Sequence, residues 1–131
     1  MGYRSEVALV LSKEACDAFK KARQKASKAV KMDLEMLFRS SKCYTYTNGD
    51  YLLYWAWIKW YSEFLSIGFI EDFLKTINTD TYLLAIIGEE LDDIMYKGSN
   101  YSNPFDMSIS RAITFKNSNN NKEIYKISST P

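Results

Sequence analysis

Apolar positions along the chain follow two rhythms, one that fills both faces of an extended segment and one that recurs at helical spacing. Residues 4–11 alternate weakly and then become the run Val7-Ala8-Leu9-Val10-Leu11, the pattern of a strand buried on both faces. Ser12 follows as an N-cap oxygen, with Glu14 and Asp17 placed early, where a helix N-terminus favours negative charge. Ala15, Ala18, Phe19, Ala22, Ala26, Ala29 and Val30 then recur at helical spacing. This predicts one helix over residues 13–31, with a further helical turn or two over 33–38.

Residues 44–61 hold eight of the twenty aromatic side chains and all three tryptophans. The stretch breaks at Asn48-Gly49-Asp50. Asn-Gly tolerates positive φ at both centres of a tight turn, so the prediction is a β-hairpin. Tyr44 and Tyr46 alternate with Thr45 and Thr47 before the turn. After it, Tyr51, Leu53, Trp55 and Trp57 alternate with Leu52, Tyr54, Ala56 and Ile58. With both faces apolar, the second strand is expected to be central and covered on each side. Two readings of the rings are open: buried core, or a platform on which bases stack.

Beyond the hairpin, Ser62 and Glu63 open a second predicted helix whose stripe is Phe64, Ile67, Ile70, Phe73, Leu74 and Ile77 and which ends near Asn78. Gly68 lies inside it, at a cost of about 1 kcal/mol relative to alanine unless close packing compensates. Residues 81–87 read as a strand, 88–91 as a turn and 92–97 as an outer strand. Residues 107–115 alternate as a last strand, with Arg111 among the apolar positions Met107, Ile109, Ile113 and Phe115. An inward guanidinium needs a carboxylate or a route to water, and Glu6 is the candidate partner.

The order strand, helix, hairpin, helix, strand, strand, strand predicts an α+β fold: a mainly antiparallel sheet with two helices packed on one face, ferredoxin-like or related. One domain is expected over residues 1–116, with 117–131 a polar tail or an added edge strand. At 131 residues the chain is long enough for a working core without disulfides or a structural metal. Arg4 and Glu6 interrupt the early apolar run and no segment reaches the length of a membrane span, so a cytoplasmic location is the expectation.

Histidine is absent, which removes the commonest general base and transition-metal ligand. Cys16 and Cys43 are too few and too far apart in sequence for a zinc site or redox pair. No phosphate loop, nucleophile elbow or metalloprotease motif is present. The expectation is a non-enzymatic protein without cofactor or metal. Charge is distributed in blocks: ten Lys/Arg against five Asp/Glu over residues 1–42, three against ten over 43–106, and four against one over 107–131. Three candidate features follow. Glu89, Glu90, Asp92 and Asp93 form an acidic cluster whose carboxylates suit a hard cation, although it lacks the spacing of a calcium loop and needs no ion in an exposed turn. Lys21, Lys25 and Lys28 make a basic stripe, open to phosphates or to water alone. Arg111 is either a structural salt-bridge partner or an anion site.

The opening Met1-Gly2-Tyr3-Arg4-Ser5-Glu6-Val7, the segment Ile87-Gly88-Glu89-Glu90-Leu91-Asp92-Asp93-Ile94 and the run Ser108-Ile109-Ser110-Arg111 resemble features of small uncharacterised bacteriophage and prophage proteins. The resemblance rests on these three short segments and brings no catalytic residues. It implies a phage accessory protein acting in the host cytoplasm, with inhibition of a host defence or regulatory protein as the class of role. The leading expectation is therefore a protein-binding module for a host protein, its acidic segment imitating nucleic acid phosphates. The alternative is a nucleic-acid binder using Lys21, Lys25 and Lys28 with exposed rings, against which near-neutral net charge and only four arginines count.

Overall fold

The apolar run at residues 7–11 lies in β1 (Ser5–Leu11), and all five of its residues are buried. A computed structural model describes residues 4–88, 94–100, 108–109, 113–115 and 123–127 of the chain. β1 is flanked on both sides. It pairs antiparallel with β3 (Tyr51–Ile58), Leu9 opposite Leu53, and with β4 (Thr81–Ile87), Leu9 opposite Leu84. Beyond β3 lies β2 (Lys42–Tyr46), and beyond β4 lies β5 (Ile94–Asn100). β8 (Ile124–Ile127) pairs with β2 and completes a six-stranded antiparallel sheet of order β5-β4-β1-β3-β2-β8. Buried Ile124 ties this last strand into the core.

The fold is α+β. Its four inner strands follow β-α-β-β-α-β connectivity, and two further strands, an additional helix and a second small sheet extend that unit.

The connection from β1 to β2 is two helices where the spacing predicted one over 13–31. α1 (Lys13–Lys25) starts as expected, with Ser12 Oγ accepting the Ala15 N–H at 3.1 Å. At Ala26 and Ser27 the backbone becomes extended, and Ser27 Oγ accepts the Val30 N–H at 3.2 Å to cap α2 (Lys28–Arg39). A straight helix over 13–39 would run about 40 Å, whereas a seven-residue strand covers about 24 Å. The break keeps both pieces over the sheet, with Phe19 from α1 and Leu34, Leu37 and Phe38 from α2 in one core. Ala29, placed on the predicted stripe, is exposed.

The aromatic hairpin forms, but its loop has three residues where a tight two-residue turn was predicted. Gly49 N–H donates to Tyr46 O at 2.9 Å and Tyr46 N–H to Asp50 O at 2.9 Å, with Gly49 in the left-handed region at φ 96°. Asp50 is buried, and its Oδ1 accepts the Lys13 N–H at 3.1 Å. The hairpin turn thus satisfies a free donor at the start of α1.

α3 (Leu65–Leu74) is shorter at both ends than predicted. Ser62 does not cap it, because its hydroxyl donates to Glu71 Oε1 at 2.6 Å. The Ser66 N–H is taken instead by Asp33 Oδ2 of α2 at 2.8 Å. Gly68 has a packing reason, since a Cβ there would lie 2.8 Å from the Ser62 carbonyl oxygen.

All three helices cover one face of the sheet, around Leu9, Leu53, Trp55 and Leu84. The other face carries Ala8, Val10, Leu52, Leu83 and Ala85. The predicted strand over 107–115 is instead two short strands, β6 (Ser108–Ile109) and β7 (Ile113–Thr114), paired antiparallel. β8 and β5 occupy the ends of the sheet order, and Ile113 and Phe115 cover apolar surface on the second face. Glu6 fixes this segment there: Oε1 accepts the Ile113 N–H at 2.9 Å, and Oε2 accepts the Tyr54 hydroxyl.

Candidate functional site

Two of the three sequence-predicted features lie outside the described residues: the acidic quartet Glu89, Glu90, Asp92 and Asp93, and Arg111. The third is present but divided. Lys21, Lys25 and Lys28 are all exposed, yet only Lys21 and Lys25 share α1, and the break at Ala26 and Ser27 places Lys28 in the first turn of α2. Among the described residues no cluster of three or more Cys, Asp or Glu side chains is arranged to hold a metal ion. Nor is any helix there long and apolar enough to cross a membrane.

The aromatic stretch divides at a bulge. Ser5 stands opposite Ile58 and Val7 opposite Trp55, so two steps along β1 match three along β3. Strict alternation would keep Trp55 and Trp57 on one side. The extra residue turns Ile58 towards the helix-side core and leaves Trp57 at 60% exposure, against 1% for Trp55. Trp55 Nε1 donates to the Leu37 carbonyl at 2.9 Å, which ties α2 to the sheet. Tyr44, Tyr51 and Trp55 are therefore buried in the core, Tyr46, Tyr54 and Trp60 pack against it, and Trp57 is exposed.

Sequence reasoning missed a surface between α2 and α3. α2 buries Leu34, Leu37 and Phe38 on one side, while Met32 and Met36, one helical turn apart, stand off that stripe at 58% and 66% exposure. At the start of α3, Phe64 and Leu65 are exposed as well. Met36 and Phe64 flank a groove of about 260 Å³ whose apolar lining is completed by Leu37, Ile58 and Ile67. Arg4 and Lys59 bring positive charge to it, and the Asp33 carboxylate there is engaged by the Ser66 N–H. The sequence carried only a partial signal, two methionines spaced i, i+4 beside the apolar positions Leu34, Leu37 and Phe38.

Burial sets the chemistry of the remaining polar groups. The Cys16 thiol is pushed up from its ordinary pKa, first by desolvation, which favours its protonated form. Desolvation, followed by the neighbouring Cys43, raises Tyr51, and desolvation followed by the hydrogen bond to Glu6 raises Tyr54. None of these groups is poised to exchange protons near neutral pH.

No protein-family model, curated protein or solved structure matches the chain.

Proposed function

We propose that this protein is a non-enzymatic binding module that docks a protein partner in the groove between α2 and α3. The observation that carries the reading is the exposed pair Met36 and Phe64 at an apolar groove, with Met32 one turn before Met36 and Leu65 next to Phe64 exposed as well. Flexible methionine side chains adapt to a partner's shape, and exposed apolar clusters of this kind mark interaction surfaces. The cations Arg4 and Lys59 at the groove favour an amphipathic helix with acidic residues beside its apolar anchors. The resemblance to phage accessory proteins supports a host regulatory or defence protein as that partner, with occupation of its surface as the inhibitory act.

The test is capture from a bacterial lysate by three forms of the protein: wild type, Met36→Glu, and a form with Lys21, Lys25 and Lys28 changed to Gln. Met36 is exposed, so the glutamate should leave the melting temperature unchanged. A single protein retained by the wild type and the lysine variant, and lost with Met36→Glu, is the expected outcome. Retention unaffected by Met36→Glu would refute the groove as the contact. Neutralising Glu89, Glu90, Asp92 and Asp93 in parallel asks whether the acidic segment steers association, which would show as a weaker salt dependence of the on-rate.

The exposure of Lys21, Lys25 and Lys28 favours one second reading, nucleic-acid binding. It requires affinity for random DNA or RNA that falls steeply with salt and drops when the three lysines become glutamine.

A further inference from the structure

We propose that a second cleft, where the ends of α1 and α2 meet β2 and β8, binds a small phosphate monoester such as a nucleoside monophosphate. The cleft encloses about 400 Å³, within the range of small-ligand sites, and is lined by separate charged, aromatic and apolar groups. Arg23 from the last turn of α1 and Arg39 from the last turn of α2 both border it. A guanidinium presents a planar fork of donors that matches two phosphate oxygens at once, and two arginines from different helices line this one space. Arg23 is held in place, its guanidinium carbon 5.2 Å from the centre of the Phe38 ring.

The rest of the lining limits the ligand further. Ile127 gives the cleft an apolar part that suits an apolar body beyond the phosphate, while the Phe38 ring is buried with Arg23 over it. Glu35 places a carboxylate on the same wall, where it can accept a hydrogen bond from an N–H or hydroxyl of that body. Glu35 adds charge repulsion to bare phosphate, so a ligand with both a phosphate and a donor group fits better than a simple anion. Ser41 is already committed, its hydroxyl donating to the Phe38 carbonyl at 2.7 Å with Cys43 Sγ 3.4 Å away. Arginine near a helix C-terminus also has an ordinary role in offsetting the negative end of the dipole. A purely structural role predicts altered stability without ligand binding.

Calorimetric titration of the full chain with AMP, adenosine and inorganic phosphate separates the two roles. Saturable AMP binding is expected, at least about tenfold tighter than for adenosine or phosphate alone. Arg39→Gln should weaken it about tenfold or more, since each 1.4 kcal/mol is a factor of ten, and Arg39→Lys by less because charge remains without the fork. Lys21→Gln with Lys25→Gln should leave it unchanged. Absence of saturable AMP binding to the wild type would overturn the proposal, as would equal weakening by the lysine pair. Arg39 is exposed, and Arg39→Gln with unchanged melting temperature but lost binding would exclude a structural role.

Discussion

The two faces of the central sheet are covered by different physics. Three helices lie on one face, and their contact with it is almost wholly apolar: Phe19 meets Phe38, Phe69 and Phe73 edge to face, and Phe38 stacks on Trp55. The other face has smaller residues, Ala8, Val10 and Ala85, under a short segment that touches it through Ile113 and through Phe115, whose ring meets Tyr44 and Tyr54. That second cover also depends on one carboxylate, Glu6, which bonds the Ile113 N–H and the Tyr54 hydroxyl. Dispersion and burial are non-directional and spread over many atoms, whereas a hydrogen-bonded charge concentrates its contribution in one group. Damage to the first face should therefore scale with volume removed, and damage to the second with the loss of a single bond.

The largest expected effect is on the helix-covered face. Trp55→Ala removes a fully buried ring and its bond to Leu37 O, and should cost about 3–5 kcal/mol in chemical denaturation. A melt like that of the wild type would remove the central role given to this residue. Glu6→Gln probes the opposite face and should cost about 1–3 kcal/mol, the range for disturbing a partly buried charged hydrogen bond. Faster hydrogen exchange should be confined to the second face, at the Ile113 amide, with the helix amides unaffected. Exchange spreading equally through α1 and α2 would contradict the separation of the two covers.

A smaller and pH-dependent effect concerns Tyr54. Its hydroxyl is held protonated in the folded state, above its ordinary pKa of 10.0, by burial and then by Glu6. A raised folded value means that its contribution is fully present below pH 10.0 and declines as pH rises above it. Tyr54→Phe should cost about 1 kcal/mol at neutral pH and should flatten the alkaline loss of stability, read from denaturation at stepped pH. The smallest effect belongs to Trp57→Ala, within about 0.5 kcal/mol of wild type because the ring is mostly in water. If that variant melts normally but loses a binding partner, Trp57 belongs to an interface.

Local pattern was sufficient to determine β1, the hairpin, the limits of β4 and the Ser12 cap, because each depends on residues close in sequence: an apolar run, an Asn-Gly turn, a hydroxyl before a helix. The α+β class followed from their order. Tertiary structure decided what depends on distant groups. The split between α1 and α2 reflects the length of the sheet beneath them, the start of α3 depends on Asp33 from another helix, and the bulge opposite Ser5 and Val7 separates Trp57 from Trp55. The candidate surfaces belong to this second group. Met32 and Met36 were legible as apolar residues, but helical periodicity alone could not say that Leu34, Leu37 and Phe38 would fill the core and leave them in water. The cleft joining Arg23 to Arg39 and Ile127 needed the chain to close β8 onto β2 across some eighty residues of sequence, a juxtaposition that periodicity cannot encode because it describes only neighbours within a turn or a strand.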